Sequence, residues 1–171
     1  NPYSNDRWNQ SEGGDQFRRG LYTFWRRTSP YPAFMAFDAP SREVTCERRA
    51  RSNTPVQSLV TLNDPAFYAA ANSLARRIVN EAGEAFEKRI EQACLLVLSR
   101  RATESETRHL RTLHQSALKK YASDTDAARR LISVGLPESN DESAPENVAE
   151  LAAWSVIANV LLNLDEALTK G

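Results

Sequence analysis

Apolar positions from residue 55 onward recur at intervals of three and four residues, which is the spacing of one face of an α-helix. A short helix is predicted from Pro55 to about Leu62. Asp64 and Pro65 predict the start of a longer helix, because a carboxylate caps free backbone amides and proline suits the first helical position. The apolar stripe of this longer helix contains Phe67, Ala70, Ala71, Leu74, Ile78 and Ala82. The polar side chains expected to face away from the stripe are Asn72, Arg76, Arg77 and Asn80.

Two further helices are predicted between residues 86 and 121. The first carries apolar residues from Phe86 to Leu98 and places Cys94 in the core. The second begins at Thr103, and Glu106 stands three positions later, as in a capping box whose two side chains satisfy free backbone amides. The apolar stripe of the second helix contains Leu110, Leu113, Ala117 and Tyr121.

The remaining C-terminal part of the chain predicts two helices. Asp124 or Thr125 caps the first of them, and Gly135 ends it. The second runs from Pro145 to about Thr169 and is predicted to be the longest helix of the chain. Its apolar residues lie nearly all round the helix, which indicates a central, buried position.

The first 54 residues have a different pattern. Nine of the 14 aromatic residues lie within the first 37 positions, among prolines that fix φ and remove backbone donors. We expect loops there, with one helix around Phe17 to Arg26. The predicted fold is therefore mainly α, forming a single domain. It is an irregular helical bundle of about five helices (55–171) with an aromatic- and Arg-rich, mostly loop N-terminal wrap (1–54).

Charge and hydropathy narrow the classes of partner. Lys plus Arg and Asp plus Glu both total 22, so no net field attracts nucleic acid or an anionic membrane surface. The chain lacks a run of about 18 apolar residues, so no membrane span is predicted. It opens with Asn1 and Pro2, which predicts that upstream sequence belongs to the same polypeptide.

Residues that usually perform catalysis or bind metals are sparse. His109 and His114 are the only imidazoles; they lie about 140° apart on a helix and are expected at the surface or its boundary. Cys46 and Cys94 form no CxxC pair. No phosphate-binding loop, nucleophile elbow or zinc-protease motif occurs. We therefore predict no catalytic residue, no metal site and no cofactor bound by this chain.

The segment from Phe17 to Arg51 contains eight arginines against three acids, together with seven aromatic residues. Guanidinium groups bind phosphate, sulfate and carboxylate and stack on aromatic rings. The candidate anion- or ligand-binding residues are Arg18, Arg19, Trp25, Arg26, Arg27 and Arg42. The same arginines suit an internal role in which they bind loop carbonyls and carboxylates, and we favour this structural interpretation while keeping the other open.

A second group of polar residues is assigned a structural role. Its N-terminal members are Asp38, Glu43, Asn53, Asn63 and Asp64. They supply acids and amides, but no histidine lies near them in sequence to complete an acid/base site. On the last predicted helix, Trp154 is expected to anchor the core, whereas Asn159 and Asn163 are expected to fasten the helix to the N-terminal wrap.

Three blocks of sequence resemble one family. The blocks are RRGLYTFWRRTSPYPAFMAFDAPSRE (18–43), RSNTPVQSLVTLNDPAF (51–67) and AAWSVIANVLLNLDEALTK (152–170). They resemble the C-terminal part of the PSD1 or DUF1553 domain of planctomycete proteins, which often also carry a DUF1549 domain and a planctomycete-type cytochrome c domain. Members commonly read SREVC where this chain reads SREVTC, so the thiol of Cys46 sits one position later than in the family.

The resemblance implies an extracytoplasmic location, in the periplasm or cell envelope, and it supplies no active site. The haem signature CxxCH is absent, so haem is expected only in other domains. Our hypothesis is a non-catalytic interaction or scaffold module of a multidomain, haem-associated envelope protein, with upstream domains of the same polypeptide as partners. The alternative is an accessory part of a polysaccharide-acting enzyme, or a module that binds anionic polysaccharide through residues 17–51.

Overall fold

The computed structural model describes residues 14–15, 18–24, 30–40, 44–48, 52–135 and 147–169. The chain divides into two units, Asn1–Val60 and Thr61–Gly171. The described residues form eight α-helices and no strand, which confirms the mainly α prediction. Seven of the eight helices lie in the described residues from 55 onward, where about five were predicted, and the last predicted helix is divided in two.

In the first unit, the described residues upstream of residue 52 contain only short helical elements: residues 14–15 have 3₁₀ geometry, and two further elements follow. A 3₁₀ turn, Gly20–Tyr22, is all that the described residues show of the helix predicted around Phe17 to Arg26. Helix α1 spans Pro32–Ala36. Gly20 lies directly on the ring of Phe34, since a Cβ at this glycine would be 2.9 Å from Phe34 Cε1. The turn and α1 therefore lie side by side.

Helix α2 spans Pro55–Asn63, as predicted. Its first turn is closed by a capping box that sequence analysis overlooked. The Thr54 backbone amide donates to Gln57 Oε1 at 3.1 Å, and the Gln57 amide donates to Thr54 Oγ1 at 3.3 Å. These reciprocal bonds satisfy two backbone donors that a helix start leaves free.

The next four helices confirm the predicted positions. They are α3 (Pro65–Glu81), α4 (Phe86–Leu98), α5 (Glu104–Ser123) and α6 (Thr125–Ser133). Asp64 caps α3 by accepting from the Ala66 amide at 2.8 Å. Thr103 and Glu106 form the predicted capping box of α5, and Asp124 caps α6. Cys94 is buried in the core, also as predicted.

The face of α3 that meets the core is rotated from the predicted stripe. Ala75 is fully buried, whereas Ala70 is exposed. Asn72 was expected to face away, but only 2% of it is exposed. The reason is a tertiary contact: Asn72 Nδ2 donates to the carbonyls of Leu131 and Val134 at 2.9 and 3.1 Å. It thereby binds two carbonyls at the end of α6, of which the Leu131 carbonyl also accepts from the Val134 amide at 3.4 Å.

The predicted longest helix is two helices. Helix α7 spans Val148–Leu162 and α8 spans Asp165–Leu168, so α5, with 20 residues, is longer than α7. The predicted start at Pro145 lies outside the described residues. Leu164 has extended backbone between the two helices, and α8 opens with two acidic residues, which favour a helix N-terminus.

Helix α7 is the centre of the second unit, as its apolar circumference predicted. It packs against α3, α5 and α6, and Trp154, Ile157 and Ala158 are completely buried. None of the helices in the described residues combines the length and apolar character needed to cross a bilayer.

Candidate functional site

Two of the arginines proposed to bind anions lie within the described residues, and both are exposed. Arg18 Nε donates to Asp15 Oδ1 at 2.6 Å, and about two thirds of each side chain remains in solvent. The Arg19 guanidinium lies 5.8 Å from the centroid of the Tyr22 ring. Arg18 is thus engaged by a neighbouring carboxylate, whereas Arg19 and Tyr22 form a stacked cationic and aromatic surface. The other four candidates, Trp25, Arg26, Arg27 and Arg42, lie outside the described residues.

Asp38 belongs to a small hydrogen-bonded cluster at the start of α2. Its Oδ2 accepts bonds from Ser52 Oγ and from Gln57 Nε2, the latter at 3.2 Å. Gln57 Nε2 also donates to Ser52 Oγ at 2.8 Å. Asp38 adopts a φ of 51°, a left-handed conformation that aspartate tolerates better than most residues. The cluster links the segment after α1 to the segment before α2.

This Asp38 cluster lacks the parts of a nucleophilic site. A serine becomes a nucleophile when a base accepts its proton, and the hydroxyl of Ser52 is bonded to a carboxylate with no imidazole between them. Sequence analysis named Asp38 but missed Ser52 and Gln57. The capping box from Thr54 to Gln57 is the signal that would have found Gln57. Glu43 lies outside the described residues, and Asn53 is exposed just before the box.

The asparagines of the last helices contact α2. Asn163 Oδ1 accepts a hydrogen bond from Thr61 Oγ1, and Asn159 Nδ2 donates to the Thr61 carbonyl at 3.4 Å. The bonds shown by the described residues go to Thr61, and the connection to residues 1–54 stays a prediction. Thr61 is 2% exposed, so these side chains satisfy polar groups in a buried position. Asn63 is exposed at the end of α2, and Asp64 is the cap of α3.

A buried ionic cluster surrounds Glu150 at the start of α7. Glu150 Oε1 accepts from Arg89 Nη1 and from Trp154 Nε1, each at 2.9 Å. The Arg89 and Glu150 side chains are only 11% and 22% exposed. Arg89 Nε also donates to the Gly83 carbonyl at 2.7 Å, and its guanidinium lies 5.7 Å from the Trp154 ring. We refer to Arg89, Glu150 and Trp154 as the Glu150 cluster.

His114 lies beside the Glu150 cluster. Only 7% of it is exposed, so the expectation of a surface or boundary position was wrong for this histidine. Its ring packs against both Phe86 and Trp154, with centroids 5.4 and 4.8 Å away, and those two rings also contact each other. His114 Nε2 is 3.7 Å from Glu150 Oε1, which is too long for a hydrogen bond, and it has no other partner among the described residues. Burial lowers the pKa of His114, so the ring is neutral at pH 7.

We interpret the Glu150 cluster as a contact that stabilises the core. The carboxylate of Glu150 accepts from an arginine and an indole, and the neighbouring His114 is packed against aromatic rings. Sequence analysis placed Trp154 in the core but missed its partners. A buried indole N–H needs an acceptor, and Glu150 stands one helical turn before it, so the pair was detectable.

A second ionic cluster, which we call the Arg100 cluster, joins the segment after α4 to α5 and α8 through Arg100, Glu106 and Glu166. Arg100 donates to both Glu106 and Glu166, with two shortest distances of 2.7 Å. The pKa of Glu106 is lowered to about 2, mainly by the hydrogen bonds from Arg100 and next by the hydrogen bond from the Thr103 backbone amide. The pKa of Glu166 is lowered chiefly by the hydrogen bonds from Arg100. Sequence alone does not show this link, because Arg100 and Glu166 are 66 positions apart.

No metal site is formed by the described residues, where groups of three or more His, Cys, Asp or Glu side chains with suitable placement are absent. Cys46 and Cys94 are both free thiols, the former exposed and the latter buried.

The sequence of the chain matches one protein family. The sequence model of PSD1, described as a protein of unknown function (DUF1553), matches residues 1–114.

The chain belongs to the PSD1 family. Two of the three blocks that suggested this resemblance, 18–43 and 51–67, lie within the matched residues, and the third, 152–170, lies beyond them. Comparison with curated proteins and with solved structures found no match. The PSD1 description assigns no activity, so residue roles in this chain depend on its own geometry.

Proposed function

We propose that this PSD1 chain is a non-catalytic interaction module of a multidomain, haem-associated protein of the cell envelope. In this proposal, haem is held by other domains, and the chain binds neighbouring domains of the same polypeptide. The polar clusters support a structural role, since their carboxylates are already bound by arginine, serine or amide groups. The surface of α2 supports the interaction role most directly.

Helix α2 has the reverse of the usual arrangement for a helix in a globular protein. Gln57 and Thr61, four positions apart, are only 3% and 2% exposed. Val56 and Leu62 lie on the opposite side and are 61% and 37% exposed. At about 100° per residue, the mean directions of these two pairs differ by about 180°. The helix therefore buries its polar face and presents its apolar face.

Exposed apolar surface of this kind is a usual mark of a protein interface. It is not confined to α2, because Leu21 of the 3₁₀ turn and Met35 of α1 are 74% and 64% exposed. Burial of apolar side chains gives roughly 25 cal/mol per Å², so covering this surface would favour association. We infer that the apolar face of α2 contacts a neighbouring domain.

Hydrogen exchange tests this proposal. Amides of residues 56–62 should exchange more slowly in a longer protein that includes the neighbouring domains than in the isolated chain. When those domains are supplied separately, Val56→Ser with Leu62→Ser should weaken association about tenfold, which corresponds to about 1.4 kcal/mol. Leu95→Ser is the matched control, since Leu95 is 43% exposed but lies on α4. Equal exchange with and without the domains, or equal affinity of the variants, would reject the interaction role.

The exposed Arg19 and Tyr22 pair favours a second candidate, binding of anionic polysaccharide. A sulfated glycan would meet a guanidinium stacked on an aromatic ring, which suits sulfate and sugar faces together. The test is the melting temperature with a sulfated glycan at low and moderate salt, because binding to the native state raises it and salt screens the charges. Arg19→Ala should abolish the shift, and Arg129→Ala, at an exposed arginine of α6, should retain it. A shift unchanged by Arg19→Ala contradicts this candidate.

A further inference from the structure

The second unit contains an apolar pocket that the interaction proposal does not use. The pocket has a volume of about 210 Å³ and opens between α4, α5 and α7. Its apolar walls are contributed by Leu98, Leu110, Val160, Leu161 and Leu164. Cys94 also lines it, and His109 lies at the exposed side.

The volume limits what the pocket can hold. Pockets that bind drug-sized molecules have about 300–1,000 Å³, which is larger than this one. A dry apolar cavity of about 150 Å³ is enough for one benzene molecule. The pocket therefore matches a single small ring or a short hydrocarbon chain.

The polar groups at the pocket define the charge of its occupant. Glu106 lines the pocket, but its carboxylate already accepts from Arg100 and from Thr103. Burial, followed by the charge of Glu106, raises the pKa of the Cys94 thiol, so this wall is neutral at pH 7. A charged ligand would lose its hydration without gaining a free partner there.

The Arg100 cluster holds the walls in place. Arg100 follows α4 and binds Glu106 in the first turn of α5 and Glu166 in α8. Leu164, which lines the pocket, directly precedes α8. One guanidinium thus connects the segment after α4 with α5 and with α8. Walls fixed in this way reduce the ordering that a ligand would otherwise have to impose.

We propose that this pocket binds one small neutral apolar molecule of about the size of a benzene derivative, with Cys94 in its wall and His109 at its mouth. The inference is independent of the role of α2, because all of the pocket residues lie in the second unit.

Toluene is a suitable probe, and the thiol of Cys94 is a suitable reporter. The experiment uses the full chain with Cys46→Ser, so that only the buried thiol reacts with methyl methanethiosulfonate. At a toluene concentration ten times its Kd, about one protein in eleven is unoccupied, so labelling of Cys94 should slow about tenfold. Methyl signals of Leu110 and Leu164 should shift in the same titration. Benzoate, a charged analogue, should produce neither effect.

Filling the pocket gives the decisive variant. Val160→Phe adds a ring to the pocket wall and should remove the response to toluene, whereas Leu95→Phe, on the exposed side of α4, should keep it. If circular dichroism shows that Val160→Phe is unfolded, Leu164→Phe takes its place. The proposal is overturned if toluene changes neither labelling nor methyl signals, or if the filled variant responds as the parent does.

Discussion

Replacing Glu150 with alanine should destabilise the second unit more than any comparable change at the surface. Glu150→Ala leaves the Arg89 guanidinium, whose side chain is 11% exposed, without its carboxylate. It also leaves the buried indole N–H of Trp154 without an acceptor. Removing one partner of a buried ion pair typically costs about 3–5 kcal/mol. Since Glu150 is 22% exposed and water can reach part of the site, we expect about 3 kcal/mol.

The assay is urea denaturation followed by circular dichroism, with Glu91→Ala as the matched control. Glu91 pairs with Arg101, but those side chains are 44% and 82% exposed, so its loss should cost less than about 1 kcal/mol. Glu150→Gln keeps an acceptor for the indole and should be intermediate. A double-mutant cycle of Glu150→Ala with Arg89→Ala should give a coupling energy of about 2 kcal/mol.

Either of two results would show that the buried pair of Arg89 and Glu150 does not stabilise the fold as expected. One is a loss for Glu150→Ala no larger than for Glu91→Ala. The other is a coupling energy near zero, which would mean that Arg89 and Glu150 contribute independently despite the 2.9 Å contact.

Three further outcomes are expected. Burial lowers the pKa of His114, so below about pH 6.5 the unfolded state binds a proton that the folded state does not. The free energy of unfolding should therefore be full above about pH 6.5 and fall as the pH drops below it. Urea titrations at several pH values should show a flatter profile for His114→Gln. Gly135→Ala should lower the free energy of unfolding by about 3 kcal/mol in urea denaturation, since φ is +77° and the new Cβ would lie 2.9 Å from a backbone atom of α3. Gly83→Ala is the control: φ is +73° but the space is open, so the cost should be about 1 kcal/mol. NMR titration should show the pKa of Glu106 rising from about 2 toward about 4.3 in Arg100→Ala, and an unchanged value would assign the low pKa to the capping box alone.

Local sequence predicted the helices well where their ends carry strong signals. Asp64 with Pro65, and Thr103 with Glu106, both begin helices at the predicted residues. These signals act through backbone amides within one turn, so they do not depend on the rest of the fold. Helix α7 was likewise recognisable as central, because a helix that is apolar on every side must be buried.

The interruption of the last helix was not predictable in the same way. The apolar pattern continues through Asn163 and Leu164, and only the structure shows that Asn163 bonds to Thr61, which lies 102 positions earlier. Asn72 shows the same principle, since its burial depends on the carbonyls of α6 and not on its own helix. The pattern therefore assigned Asn72 outward, whereas its distant partners hold it inward.

The sequence by itself determined the family, the helical class and most helix boundaries, because these depend on local spacing and on matched blocks. Tertiary structure decided which polar groups meet. The Glu150 cluster and the Arg100 cluster each join residues that are far apart in sequence. The exposure of the apolar face of α2 likewise depends on how distant segments pack. Hydrogen bonds and ion pairs act over about 3 Å, so their partners become identifiable only when the packing of the helices is known.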